Sequence, residues 1–149
     1  MKAIADTGFL VAFGNRNDYH HEWAAAIAER VTEPLLTCEA VLAETAFHLG
    51  SSALVLALLG DGLVRSALVL SEHISRLEEL AARHADCKPD LADLCLIRLK
   101  VRLPNGRSQS IAFFPGASDP EFGANGLLLS MDESVGMSVV LGFLCVHRR

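Results

Sequence analysis

The sequence predicts an α/β domain, with a central, mostly parallel sheet covered by helices on both faces. Two observations carry this. Short apolar runs alternate with segments whose apolar residues recur at helical spacing, the order expected of parallel strands joined by helical crossovers. Apolar residues also make up 51% of the 149, enough for a sizeable core. That length suits one compact domain and is too short for two full-sized ones, so residues 1–149 are read as a single domain.

Lys2 to Ala5 reads as a short buried strand and Thr7 to Ala12 as the first turns of a helix. Residues 14–18 are loop, with Asn17 or Asp18 capping a helix from about Tyr19 to Val31. Trp23, Ala26, Ile27 and Val31 recur along that helix at helical spacing. Pro34 to Leu36 is a second strand, and Thr37 caps a helix running to about Leu49. Gly50-Ser51-Ser52 breaks it, and Ala53 to Leu59 forms a short apolar helix. Ser66 to Leu70 alternates like a strand. Ser71 caps an amphipathic helix with Ile74, Leu77, Leu80 and Ala81. Asp90 opens a helix holding Leu91, Leu94, Leu96, Ile97 and Leu99. After Lys100 the texture changes: residues 104–109 are turn, Ile111 to Phe114 a strand, and Pro115 to Gly126 loop. Leu127 to Cys145 supplies one or two further strands.

Formal charge is −5, which argues against a broad basic surface that grips phosphates. It leaves room for a nucleic-acid enzyme whose metal ions carry the positive charge. Cys38, Cys87, Cys95 and Cys145 form no C-x-x-C pair and read as small buried hydrophobes in a reducing cytosol. Asp6 interrupts any signal-peptide core, and the apolar run Val135–Val146 is too short to span a bilayer. The expectation is a soluble, cytoplasmic protein with no membrane partner.

Four acids stand where a hydrolytic metal site would want them. Asp6 follows the first strand, and parallel sheets present their chemistry at the carboxyl ends of strands. Glu44 lies mid-helix amid Val41, Ala43 and Ala46, a costly place for a charge unless it is paired or metal-bound. Asp90 and Asp93 are three apart near a helix start and share one face. Oxygen ligands without His or Cys suit Mg²⁺ or Mn²⁺. Two such ions about 3.5–4 Å apart can hold a phosphodiester and generate hydroxide. The plainer reading of Asp6 and Asp90 is helix capping.

Asp6-Thr7 after a strand, Asp18-Tyr19-His20 opening a helix, then Leu42-Ala43-Glu44 and Asp90-Leu91-Ala92-Asp93, resembles a PIN domain of the VapC-like toxin type. The order and spacing fit over about residues 1–100. The resemblance implies a compact three-layer α/β/α sandwich and a Mg²⁺- or Mn²⁺-dependent endoribonuclease acting on RNA. It further implies a homodimer, and inhibition by a cognate antitoxin protein. Asp6, Glu44 and Asp93 match the family's metal-binding acids, Asp90 an often acidic neighbour, and Thr7 a hydroxyl that supports the site. The family has a further aspartate about twenty residues after the Asp93 position. Here Ile111-Ala112-Phe113-Phe114 occupies that place; Asp119 is the nearest acid, and Asp132 has a better local context farther along. The tail from Lys100 departs from the family, as genuine divergence or an altered reading frame would both produce. Without the fourth acid, a PIN-like module that folds and dimerises but no longer cleaves is the competing expectation.

Other residues weigh less. His20 and His21 could form a two-histidine site, but neighbours on a helix point apart, so capping and packing is the better reading. Arg16, Arg65, Arg98, Lys100, Arg102 and Arg107 could supply an RNA-backbone groove or a solvated face. Asp6-Thr7-Gly8 also matches the triplet of retroviral-type aspartic proteases, which are small all-β dimers. The helical periodicity of residues 19–99 opposes that fold.

Overall fold

The computed structural model describes residues 3–86, 88–102, 109–112 and 127–130, with side chains described for 4–86 and 88–99. Chain order is β1 (Ala3–Ala5), α1 (Thr7–Gly14), α2 (His21–Arg30), β2 (Leu35–Thr37), α3 (Glu39–Leu49) and α4 (Ser52–Gly60). Then come β3 (Val64–Ser66), a 3₁₀ turn (Leu70–Glu72), α5 (Ile74–Arg83), α6 (Leu91–Arg102), β4 (Gln109–Ala112) and β5 (Leu127–Ser130). The strands form one sheet in the order β3-β2-β1-β4-β5. All neighbours are parallel except β4 and β5, which pair antiparallel. This is the mostly parallel α/β/α architecture that the alternating pattern predicts.

β1 occupies the middle of the sheet. The chain winds from it through β2 to β3, then returns to place β4 on β1's other side, with Ala5 opposite Ile111. Such a reversal opens a crevice beyond the carboxyl ends of the strands. Asp6, the residue after β1, stands at that point.

The core is packed by Ile4, Phe9, Leu10, Leu35, Val41, Val64 and Leu68 with the inward faces of α5 and α6, all buried. Phe9 is fully buried and meets the Trp23 ring edge-on at 5.8 Å, seating α2 against α1. α1 and α3 approach closely at Gly14. A Cβ there would come within 2.8 Å of the Leu49 side chain, so only glycine admits this contact without displacing it. Gly50 ends α3 with φ +63°, a left-handed turn that glycine adopts without strain.

Several boundaries differ from expectation, each for a local reason. Thr37 belongs to β2 and does not cap α3: its buried Oγ1 donates to Ala5 O at 3.1 Å, a side-chain bond between neighbouring strands. Cys38 takes the cap position instead, with no side-chain cap bond. The third strand is Val64–Ser66, earlier than the alternation of 66–70 suggests, because Leu35 N–H of β2 donates to Leu63 O and Ala67 N–H donates back to Thr37 O, which brackets 64–66 against β2. Ser71 falls within the 3₁₀ turn, and His73 precedes α5. α2 starts at His21, while Asp18 Oδ1 accepts from His20 N–H one turn earlier. The strand expected at 111–114 is Gln109–Ala112, and Leu127–Ser130 is found within the apolar tail. Among the described residues, no helix is long and apolar enough to cross a membrane.

Candidate active site at the carboxyl edge of the sheet

Asp6 leaves β1 in extended conformation, and its Oδ1 accepts the Phe9 N–H at 2.8 Å. The capping reading therefore holds for Asp6. It does not exhaust the side chain, since an ionised carboxylate offers about four acceptor sites. The next residue, Thr7, donates its hydroxyl to Glu44 Oε2 at 2.7 Å. This bond ties the first turn of α1 to the middle of α3, across 37 positions of sequence.

Glu44 is half-buried, and its Oε1 lies 4.0 Å from Nε2 of His48, one helical turn on. The charge that the sequence sets among alanines and valine is thus held by a hydroxyl and flanked by an imidazole. His48 is exposed, and its four-residue spacing from Glu44 places both on one helix face.

Asp90 and Asp93 form a reciprocal cap at the start of α6. Asp93 N–H donates to Asp90 Oδ1 at 2.8 Å, and Asp90 N–H donates to Asp93 Oδ2 at 3.3 Å. This is a capping box with aspartate at the position that glutamate usually fills. α6 packs against α3, the helix that carries Glu44.

The structure thus joins Thr7 to Glu44 with Asp6 adjacent in the chain, and joins Asp90 to Asp93. Oxygen donors of this kind suit a hard divalent cation. Among the described residues, no three His, Cys, Asp or Glu side chains gather as a metal-holding group. The donor chemistry fits such an ion; the number of ligands gathered at one point among the described residues falls short. Asp119 and Asp132 lie outside the described residues. β4 pairs with β1 up to Ala5–Ile111 and ends at Ala112, at the edge where Asp6 leaves β1. No acid occurs between Asp93 and Asp119.

The remaining candidates are placed plainly. His21 Nδ1 lies 2.9 Å from Ala12 O, a packing contact that ties α2 to α1. Asp6-Thr7-Gly8 opens a helix of a parallel α/β fold, which corrects the protease alternative: that all-β architecture is absent from the described residues. Cys38 and Cys95 are buried, free and hydrogen-bonded to each other. Burial pushes the Cys38 thiol up, and burial followed by the Cys38 and Asp90 charges pushes Cys95 up to about 12. Both remain protonated hydrophobes, as their sequence context suggests. Cys87 and Cys145 fall outside the described residues.

No curated protein matches the chain. A sequence model of the PIN domain matches residues 3–100, the stretch that carries all four acids and the first three strands. PIN domains are generally nucleases, hydrolases that typically use divalent metals. With that match covering well over half of its 149 residues, the chain belongs to the PIN domain family.

Proposed function

We propose that the chain is a metal-dependent endoribonuclease, the cytoplasmic toxin of a toxin–antitoxin pair. The observation that carries the reading is the hydrogen bond from Thr7 to Glu44, which ties an acid of α3 to the residue that follows the strand-end Asp6. Asp6, Glu44 and Asp93, with Asp90 beside them, would hold Mg²⁺ or Mn²⁺, which supplies activation of the attacking water. Thr7 fixes the Glu44 carboxylate and limits its rotation. The reciprocal cap sets the backbone that presents Asp90 and Asp93. His48 stands one helical turn beyond Glu44, its Nε2 4.0 Å from Glu44 Oε1. The homodimer and the inhibitory antitoxin belong to the same reading and rest on the family resemblance.

A second reading is a PIN module that folds and dimerises without cleaving. The absence of any acid between Asp93 and Asp119 favours it. One experiment separates the two. The full chain is incubated with single-stranded RNA and Mn²⁺, with chelator, and as Asp6→Asn. Cleavage that needs Mn²⁺ and vanishes in Asp6→Asn supports the nuclease. Absent cleavage, or cleavage that persists in Asp6→Asn, overturns it.

A further inference from the structure

A second concavity lies on the α5–α6 side of the molecule. It has a volume of about 620 Å³ and is lined by Ser71, Glu72, His73, Ser75, Arg76 and Arg98. Arg98 projects from α6, and its Nε is buried with no hydrogen-bond partner among the described residues. A buried guanidinium donor without an acceptor is costly, and its planar fork matches the paired oxygens of a phosphate. Arg76 brings a second cation to the same wall. Its ion pair with Glu79 is exposed and easily exchanged. Ser71 and Ser75 add hydroxyl donors. Glu72 is the opposing charge on the wall and Glu79 pairs with Arg76, so the pull on an anion rests first on the Arg98 Nε, buried without a partner among the described residues.

Its position relates it to the acids. β3 leads into the 3₁₀ turn from the same carboxyl edge at which Asp6 leaves β1, two strands away, about 10 Å at the usual strand spacing. α6 spans both places: Arg98 follows Asp93 by five residues, about 7.5 Å along the helix axis. Five residues also turn about 140° around the helix, so a single strand that touches both places would bend around α6.

We infer that the concavity is a phosphate subsite, in which Arg98 and Arg76 grip a backbone phosphate of the RNA strand away from the scissile bond. The inference rests on the RNA reading above. The recognised chemistry is a phosphate oxyanion, which free phosphate also offers.

Binding is measured in the Asp6→Asn background, where no cleavage occurs, using a labelled single-stranded RNA. Arg98→Gln is expected to weaken binding about tenfold and to reduce the salt slope by about 0.7, the loss of one phosphate contact. Arg98→Lys, which keeps the charge and loses the fork, falls between; Arg30→Gln, on the exposed end of α2, is the control and leaves binding unchanged. Unchanged RNA affinity in Arg98→Gln overturns the subsite. If Arg98→Gln fails to fold, Arg98→Lys decides by the same affinity. Inorganic phosphate is titrated in parallel: competition with RNA supports the subsite, and phosphate binding with Arg98-independent RNA binding overturns the RNA assignment. Arg98-dependent binding by a wild-type chain that never cleaves sinks the nuclease and leaves the subsite standing. Cleavage with Arg98-independent binding does the reverse.

Discussion

The hydroxyl of Thr7 donates to Glu44 Oε2 at 2.7 Å, so the residue after the strand-end acid anchors the acid of a neighbouring helix. A hydrogen bond to a charged group is worth about 1.5–3 kcal/mol. Thr7→Val is therefore expected to lower the initial rate of RNA cleavage at least about tenfold, since 1.4 kcal/mol is a factor of ten. Thr7→Ser, which keeps the donor, should stay within about threefold of wild type. Equal rates in Thr7→Val and wild type would show that Glu44 needs no such anchor.

Asp6 combines a cap with a proposed ligand role, and two substitutions separate them. Asparagine caps a helix about as well as aspartate, whereas alanine loses about 1 kcal/mol. Asp6→Asn should keep the urea midpoint of wild type and lose cleavage. Asp6→Ala should lose both. A stable, active Asp6→Asn protein contradicts the ligand role.

The Asp90–Asp93 cap predicts energetic coupling. Each alanine substitution should cost about 1 kcal/mol in urea unfolding. The double variant should cost less than the sum, because either change alone already breaks the reciprocal arrangement. Strict additivity would mean that the two caps act independently.

Cys38 and Cys95 predict an alkaline loss of stability. Both thiols are held above their ordinary value of 9.0 in the folded chain, Cys95 up to about 12. As pH rises past 9 the unfolded chain loses these protons first, so it binds fewer than the native state and unfolding becomes more favourable. The loss begins near pH 9 and levels off only above pH 12. Urea midpoints at pH 7.5, 9 and 10.5 should fall progressively, and the fall should be shallower in Cys95→Ala. Parallel slopes in the two proteins would refute this origin.

Much of the fold is legible in the sequence because helical periodicity and turn residues are local signals. The helix starts at Thr7 and Leu91 follow from an aspartate placed before an apolar run. Thr37 is misread because a threonine before a helix looks like a cap. Its hydroxyl goes instead to Ala5 O on the adjacent strand, a contact 32 positions distant that no local pattern encodes. The acids are legible as a set: an isolated charge at Glu44 in an apolar helix demands a partner. The partner itself, Thr7, is legible only through family resemblance. Arg98 illustrates the other limit, since a run of alternating basic residues does not reveal which guanidinium nitrogen will be buried with no acceptor among the described residues.

The PIN match ends at residue 100, yet β1 finds its second neighbour at residues 109–112. The strand that delivers Asp6 is therefore interior only by virtue of a segment beyond the matched region. A chain cut after Arg102 would turn β1 from a central strand into a rim, with its outward N–H and C=O groups unsatisfied. Rims of that kind recruit strands from other molecules. The divergent tail thus acts as a guard on the site-bearing strand: the backbone of 109–111 pairs with Ala3–Ala5 and keeps the strand that leads to Asp6 off the edge of the sheet.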